Sequence, residues 1–373
     1  MTISINAAFD SGNIDVVDAS DPQNIRLNIR KDKDSDFYQW FHFRVTGAKG
    51  VPLRLIIENA SGAAYPGGWE NYLTCMSEDR DDWVRVPTSY KNGQLIIEHT
   101  PALDSVYYAY FVPYSQERHL NLIADALAYD GVSHSVLGQT VDGRDMDCLS
   151  LGEGEKLIWV IARQHPGESM AEWWMEGFLA RLTDPEDPVA LEMRRKATFH
   201  IVPNMNPDGS YRGHLRTNAV GSNLNREWDT PSLEKSPEVL CVRNAMDLKK
   251  PVLCLDVHGD EALPYNFIAG AEGIPGYTDK QAADLKAFLE AYLEASADFQ
   301  TKVGYPLTAP GKANMTICTN ALAARYDCLA MTLEMPFKDN ANAPDSLRGW
   351  DGNRSAQLGN DTLDAMAAVI DQL

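Results

Sequence analysis

The organisation of this chain is clearest at residues 157–172, which read LIWVIARQHPGESMAE. The stretch begins with a short, continuous apolar run rich in β-branched side chains, which predicts a buried parallel β-strand. Pro166-Gly167 then predicts a turn. Ser169 followed three residues later by Glu172 matches a capping box, which predicts that a helix begins here. The stretch is therefore typical of a strand–turn–helix unit in an α/β fold.

Two side chains in the predicted turn suit a metal ion. His165 and Glu168 lie at the carboxyl end of the predicted strand, where open α/β sheets bind ligands. A nitrogen and an oxygen donor at this spacing can reach one cation, and such donors suit zinc. The alternative is structural: His165 ends the strand, and Glu168 stabilises the positive end of the helix dipole. The pair alone does not separate these interpretations.

A second apolar stretch, residues 252–257, is followed directly by His258. Because parallel strands end at the same edge of a sheet, His258 is expected to meet His165 and Glu168. Two histidines and one carboxylate form a catalytic zinc set whose fourth position is left to water. Otherwise His258 is a structural residue at a strand end. Asp256 is expected either to support His258 from outside the metal site or simply to end the strand.

A third apolar stretch, residues 329–334, ends in Glu334. A buried carboxylate needs a cation or a proton to offset its lost hydration. Beside a zinc-bound water, a carboxylate can act as a general base and later give the proton to the leaving group. The alternative is a solvated strand end. Together with the zinc set, Glu334 predicts metal-assisted hydrolysis.

An irregular segment between these strands contains Arg216, Asn225 and Arg226. A guanidinium group binds a carboxylate through two parallel hydrogen bonds and also stabilises a developing oxyanion. In a chain of net charge −20, an anionic substrate group needs such a local basic cluster. Loop arginines are otherwise ordinary surface charges.

Residues 1–112 have the pattern of a separate all-β domain. Stretches such as 37–45 and 53–58 alternate apolar and polar residues and are rich in aromatic or β-branched side chains. Asn92-Gly93 lies between two further short stretches, 84–86 and 95–98, in a hairpin-like arrangement. These features predict an antiparallel β-sandwich.

Residues 113–373 alternate apolar strands with helical patterns, which predicts an α/β domain with a mixed central sheet flanked by helices. We expect strands at 157–162, 198–202, 252–257 and 329–334, and helices at 120–127, 171–182, 237–248, 280–296 and 361–373.

Composition excludes several classes of protein. The 53 acidic and 33 basic residues create a field that repels nucleic acid and anionic lipid, so neither is expected as a partner. No apolar run approaches the length of a membrane span, and the first residues do not resemble a secretory signal. The six cysteines are widely spaced, which argues against a disulfide framework. A cytoplasmic protein is expected.

Five segments together resemble the zinc metallocarboxypeptidase family, and the His-Pro-Gly-Glu element is similar to its cytosolic carboxypeptidase branch. The resemblance runs from about residue 115 to 340, and the N-terminal region resembles the β-sandwich that precedes the catalytic domain in that branch. The segments are Arg163–Ser169 (RQHPGES), Asn206–Gly209 (NPDG), Asn225–Trp228 (NREW), Asp256–Gly259 (DVHG) and Thr332–Glu334 (TLE).

The resemblance implies a role for each candidate residue. It implies that one zinc ion is bound by His165, Glu168 and His258, and that Glu334 is the general base. It further implies that Arg216 polarises the scissile carbonyl, and that the substrate's terminal carboxylate is held by Asn225 and Arg226.

The same resemblance implies a preference for C-terminal glutamate or aspartate, held by a basic residue in the side-chain pocket. Lys312 and Arg325 are the candidates, although either is equally explained as a surface charge. Family members also place a tyrosine over the substrate, and residues 305–320 offer only Tyr305.

We therefore predict a zinc carboxypeptidase that acts on the C-terminus of a peptide or protein tail. Two alternatives stay open. An N-acyl amino acid deacylase on the same scaffold would share the ligands and Glu334 but lack a sandwich in front. A catalytically silent, zinc-containing peptide-binding module would not need a proton acceptor at Glu334.

Overall fold

The computed structural model describes residues 3–373, and its N-terminal part is a β-sandwich, called here the front sandwich. One of its sheets has the strand order β1-β4-β10-β6-β7 and the other β2-β3-β5-β9-β8. Neighbouring strands are antiparallel, except that β3 and β5 run parallel. The ten strands are β1 (Ser4–Asn6), β2 (Asp15–Asp18), β3 (Ile25–Asn28), β4 (His42–Thr46), β5 (Leu53–Ile57), β6 (Thr74–Ser77), β7 (Val84–Val86), β8 (Thr88–Lys91), β9 (Gln94–His99) and β10 (Ser105–Ala109).

The Asn92-Gly93 turn joins different strands from those expected. It connects β8 to β9 directly, with Lys91 opposite Gln94. Both turn residues have positive φ, 53° and 81°, as a two-residue type I′ hairpin requires. Residues 84–86 instead pair with β6. The expected pairing of residues 84–86 with 95–98 was wrong, because a two-residue turn joins the strands directly before and after it.

The α/β domain that follows is built on a seven-stranded mixed sheet, as the sequence predicts. Its order is β11-β12-β14-β13-β15-β17-β16. The four strands β14, β13, β15 and β17 are parallel, and the outer strands join antiparallel. The strands are β11 (Ser133–Gln139), β12 (Asp145–Leu151), β13 (Lys156–Ala162), β14 (Ala197–Val202), β15 (Leu253–Asp260), β16 (Phe267–Ala269) and β17 (Leu329–Pro336).

Helices cover both faces of this sheet. Side chains of α2, α6 and α8 pack in one core with alternate residues of β13, while α5 and α7 pack on the opposite face. None of the helices within residues 3–373 is both long and apolar enough to cross a bilayer. The helices are α1 (Gln116–Leu127), α2 (Met170–Thr183), α3 (Pro188–Lys196), α4 (Pro207–Arg212), α5 (Pro237–Leu248), α6 (Asp279–Ala295), α7 (Cys318–Tyr326) and α8 (Gly352–Val369).

Helix α2 begins where the sequence predicts but lacks the expected capping box. Ser169 already has helical dihedrals, and its hydroxyl donates to the carbonyl of Val112 at 2.8 Å. Glu172 is buried and instead accepts hydrogen bonds from Arg163 and from Asn204. The capping box was wrong because stronger buried partners use the Glu172 carboxylate.

The front sandwich packs against the α/β domain through a shared core. The ring of Tyr110 stacks on Phe337, which follows β17, with ring centroids 4.6 Å apart. The guanidinium group of Arg85 donates to the carbonyls of Phe337, Arg348 and Trp350, each at 3.0 Å. The front sandwich is therefore attached directly behind the strand that carries Glu334.

Candidate active site

The candidate site lies at the carboxyl ends of β13, β15 and β17. Strands β15 and β17 run parallel in a register that pairs His258 with Glu334. The chain leaves β13 through Arg163, whose φ of +57° turns the backbone sharply. This turn directs the following loop, with His165 and Glu168, over the end of β15. Neighbouring parallel strands thus bring the predicted residues to one edge of the sheet.

His165, Glu168 and His258 converge on one point and are all buried. The Nδ1 atom of His165 lies 2.7 Å from one carboxylate oxygen of Glu168, and Nδ1 of His258 lies 2.7 Å from the other. The two Nδ1 atoms are 3.2 Å apart. The backbone N–H of Gly259 also donates to Glu168, at 3.1 Å. The prediction that these three side chains come together is confirmed.

The far sides of both imidazoles are held by oxygen acceptors. Nε2 of His165 is 3.1 Å from Oδ1 of Asn223, and Nε2 of His258 is 3.0 Å from Oδ2 of Asp256. When Nε2 carries the hydrogen, Nδ1 is a lone-pair donor, so both lone pairs face the same point. Two imidazole nitrogens and a carboxylate so arranged fit the open ligand set of catalytic zinc.

Burial and charge decide the protonation of the two histidines. Burial, with help from the nearby positive charge of Arg216, lowers the pKa of His165 to about 4, so it is neutral at pH 7. Burial also opposes charging of His258, but Asp256 and Glu168 outweigh it and raise its pKa well above the ordinary value. A divalent cation that binds here must therefore displace a proton.

Glu334 lies beside this group and lines an adjoining cavity. Its side chain is buried, and among residues 3–373 its Oε2 atom has no hydrogen-bond partner. Burial raises the pKa of Glu334 well above its ordinary value, an effect that His258 opposes and Glu168 strengthens. The carboxyl group is thus placed to exchange a proton with a molecule in the cavity.

The cavity has a volume of about 790 Å³, and Arg216, Asn225 and Arg226 lie on its wall. Asn225 is fixed because its Oδ1 accepts from the backbone N–H of Cys318 at 2.8 Å. Burial and the neighbouring charge of Arg216 lower the pKa of Arg226. Arg216 and Arg226 therefore place two cationic groups on this part of the wall, which suits the carboxylate of a ligand.

Neither residue predicted to meet the substrate side chain lies in this cavity. Arg325 forms a surface ion pair with Asp247, with N–O distances of 2.7 and 2.8 Å. Lys312 is exposed and does not line the cavity. That prediction is wrong because both residues lie beyond the cavity wall, one on α7 and one in the preceding loop. Lys302 and Glu272 line the cavity instead.

Two residues of the site, Tyr65 and Asn223, were missed from sequence. Tyr65 of the front sandwich lines the cavity, although it lies a hundred residues before the metal group. Tyr305 also lines it, and its hydroxyl donates to Asp260 at 2.7 Å. Asn223 lay within a segment of interest, but nothing in its local pattern indicated contact with a histidine. Tyr305 was not missed, because it is the only tyrosine that residues 305–320 offer.

Comparison with known proteins agrees with this geometry. Residues 5–111 match the cytosolic carboxypeptidase N-terminal domain, and residues 123–261 match the zinc carboxypeptidase family. The chain is 27% identical to cytosolic carboxypeptidase 6 of Caenorhabditis elegans, over 89% of this chain and 78% of that protein.

Two solved structures are much more similar. A metallo-carboxypeptidase from Burkholderia cenocepacia superposes with a TM-score of 0.98 at 49% identity, and covers 100% of both chains. A metallo-carboxypeptidase from Pseudomonas aeruginosa, solved in complex with (2-guanidinoethylmercapto)succinic acid, gives a TM-score of 0.97 at 45% identity over 99% of both chains.

The matches extend over the front sandwich and the α/β domain alike. The family uses zinc, and the group formed by His165, Glu168 and His258 is in position to bind one ion. The chain therefore belongs to the zinc carboxypeptidase family and is a zinc metallocarboxypeptidase.

Proposed function

We propose that this enzyme hydrolyses the C-terminal peptide bond of peptides or protein tails. The observation that carries the proposal is the buried Glu334, which lies beside the three-residue metal group and faces a cavity containing Arg216 and Arg226. A proton acceptor, a metal group and two cations around one cavity are what hydrolysis next to a free carboxylate requires.

His165, Glu168 and His258 hold the zinc ion in this proposal. A zinc ion at such a site supplies Lewis-acid polarisation of a carbonyl group and lowers the pKa of water. Asn223 and Asp256 accept hydrogen bonds from the Nε2 atoms of the two histidines, which would leave both Nδ1 atoms available to hold the ion.

Glu334 acts as the general base. It takes a proton from the attacking water and then delivers it to the nitrogen of the departing amino acid. Burial raises the pKa of Glu334, which makes its ionised form a better proton acceptor. Arg216 stabilises the negative charge that develops on the carbonyl oxygen.

Asn225 and Arg226 bind the terminal carboxylate of the substrate. Arg226 can donate two parallel hydrogen bonds to it, and burial strengthens such a charged pair. This requirement for a carboxylate next to the scissile bond makes the enzyme an exopeptidase. Internal peptide bonds lack that carboxylate and are rejected.

The preference for acidic C-terminal residues is retained in the proposal, with Lys302 as the cavity's candidate cation. A second candidate, basic C-terminal residues, is favoured by Glu272 on the same wall. It is also favoured by the Pseudomonas aeruginosa relative, whose bound compound contains a guanidino group as well as carboxylates. The two candidates make opposite predictions for the same variants.

The test is an assay of purified enzyme on matched peptides that end in glutamate, leucine or lysine, with Glu334→Gln as the inactive control. Lys302→Met should selectively impair release of glutamate if the acidic preference holds, whereas Glu272→Gln should selectively impair release of lysine if the basic one does. Release only from N-acyl amino acids would favour the deacylase. Peptide binding without release, in the presence of zinc, would favour the binding module.

The proposed location is the cytoplasm. Its support is the name of the Caenorhabditis elegans relative, a cytosolic carboxypeptidase, and the free thiol state of the six cysteines. Cell fractionation of the tagged protein checks it.

A further inference from the structure

The segment that carries Arg216 has little support from the α/β domain's own secondary structure. It is irregular chain between α4 and the short helical turn Leu224–Arg226. Among residues 3–373, no carboxylate forms an ion pair with the Arg216 guanidinium group. Its central carbon instead lies 5.5 Å from the ring centres of both Phe37 and Tyr65, which belong to the front sandwich. These rings attract the cation and leave its N–H groups available to a substrate.

A single carboxylate of the front sandwich holds the backbone of this segment. Asp32 is only 2% exposed. Its Oδ1 accepts from the backbone N–H of Leu215 at 2.7 Å, and its Oδ2 accepts from those of Arg216 and Thr217, both at 2.8 Å. The Thr217 hydroxyl adds a fourth hydrogen bond at 3.1 Å. A buried charge is stable only when it is satisfied in this way.

Asp32 is itself held by its own loop. Its backbone N–H donates to the carbonyl of Phe37 at 2.8 Å, and its carbonyl accepts from Ser35 at 3.2 Å. Phe37 thus closes the loop that contains Asp32, and its ring lies beside the Arg216 side chain. Backbone and guanidinium group are therefore positioned by one element.

The other side of the segment contacts the metal loop. The carbonyl of Leu215 accepts from the backbone N–H of Gly167 at 2.8 Å, in the turn between His165 and Glu168. The Arg216 segment is therefore hydrogen-bonded to Asp32 on one side and to the loop that carries His165 and Glu168 on the other. Loss of the Asp32 carboxylate would remove the hydrogen bonds to the backbone N–H groups of residues 215–217 and leave the Gly167–Leu215 contact in place.

We propose that Asp32 is a positioning residue for Arg216, and that the front sandwich is thereby a working part of the active site. The proposal rests on the function proposed above for Arg216. Asp32 touches no substrate; it acts by holding the guanidinium group where the oxyanion forms.

The test is Asp32→Asn, which keeps the size of the side chain but puts an amide N–H₂ group against backbone N–H groups. We expect kcat/KM to fall about 100-fold, with the loss mainly in kcat, because displacement of a catalytic group by about 1 Å has effects of this order. In an Arg216→Ala background the same change should cost less than about twofold, because the two residues act as a unit. Hydrogen exchange of the 213–217 amides should rise.

Asn13→Ala is the matched control. Buried Asn13 donates to the carbonyl of Gly213 at 2.8 Å, across the same contact but without touching Arg216. We expect it to lower the melting temperature while kcat stays within about threefold of wild type.

Two results overturn the proposal: full activity in Asp32→Asn, or an equal loss in the presence and absence of Arg216. If the wild type cleaves none of the peptides, the proposed function fails instead. Exchange of the 213–217 amides then still decides whether Asp32 holds the segment, and unchanged exchange rejects that role.

Discussion

The α/β domain and the front sandwich contribute to the cavity in different ways. The α/β domain supplies the reactive groups at the ends of adjacent parallel strands, where His165 and His258 approach to 3.2 Å. The front sandwich supplies two rings and one carboxylate, and these touch Arg216 or its backbone. Strand register therefore brings the metal group together, whereas the Arg216 guanidinium group is contacted by side chains of the front sandwich.

The largest expected effect lies on the α/β side of this comparison. His258→Ala removes one of three metal ligands, so zinc content should fall below one ion per chain and peptidase activity should fall to background. Metal analysis and a peptide assay measure the two. His134→Ala, on the edge strand β11, should leave both unchanged. If the His258→Ala protein still binds one zinc ion per chain, the ion binds somewhere other than at this edge of the sheet.

A smaller loss is expected for Glu334→Gln, because the metal ligands are intact. Loss of a general base lowers kcat by about 10²–10⁴-fold. Zinc content should stay at the wild-type value, and the melting temperature should not fall, since glutamine removes the cost of a buried acid. A decrease in kcat of less than tenfold would mean that another group accepts the proton.

Arg85→Met tests the attachment of the front sandwich. The change keeps an apolar stem but leaves the carbonyls of Phe337, Arg348 and Trp350 without their shared donor. We expect the free energy of unfolding to fall by roughly 2–4 kcal/mol, with zinc content unchanged. Urea denaturation measures it, and Arg54→Met on β5 is the control. Two separate transitions would show that the regions unfold independently.

The smallest effect concerns pH. Glu238, near the start of α5, accepts from Asn218 of the segment that follows Arg216, at 3.2 Å. Burial raises the pKa of Glu238 from 4.5 to about 7, with the negative charges of Asp208 and Asp142 adding to the shift. Because the folded protein holds this proton more tightly, the contribution of Glu238 to stability is greatest below pH 4.5 and is lost as pH rises through 7.

Glu238→Gln should therefore be more stable than wild type at pH 8, by up to about 3 kcal/mol, and nearly equal to it at pH 4.5. Denaturation at the two pH values measures the difference. The exposed Glu234→Gln should show no such dependence. A variant less stable than wild type at pH 8 would mean that the Glu238 charge supports the Arg216 segment as Asp32 is proposed to do.

Sequence predicted the metal group well because its signals are local. His165, His258 and Glu334 each follow an apolar strand, and parallel strands bring such residues together. The contact of Asp32 with the Arg216 segment could not be predicted, because Asp32 lies 183 residues before Leu215 and its own neighbours are ordinary loop residues. Strand β11 was missed for a related reason: it is mostly exposed and lacks a regular apolar alternation.

The fold class was predictable because it depends on period and order alone. The cavity wall was predicted only in part: Arg216, Asn225 and Arg226 line it, whereas Lys312 and Arg325 do not, because a positive charge in a sequence does not show which way its side chain points. The domain boundary between residues 112 and 113 stays a prediction. Because side chains from both regions pack in one core, such a boundary divides the sequence but not the hydrophobic core.

The stacked rings of Tyr110 and Phe337 have a consequence for how such enzymes change over time. Tyr110 belongs to the front sandwich and Phe337 to the α/β domain, where it lies only three residues after Glu334. A gene that lost the codons for residues 1–112 would lose Tyr110, and its product would expose the ring of Phe337 next to the strand that carries Glu334. Transfer of the α/β domain alone into a new protein would therefore require another apolar group to cover this ring.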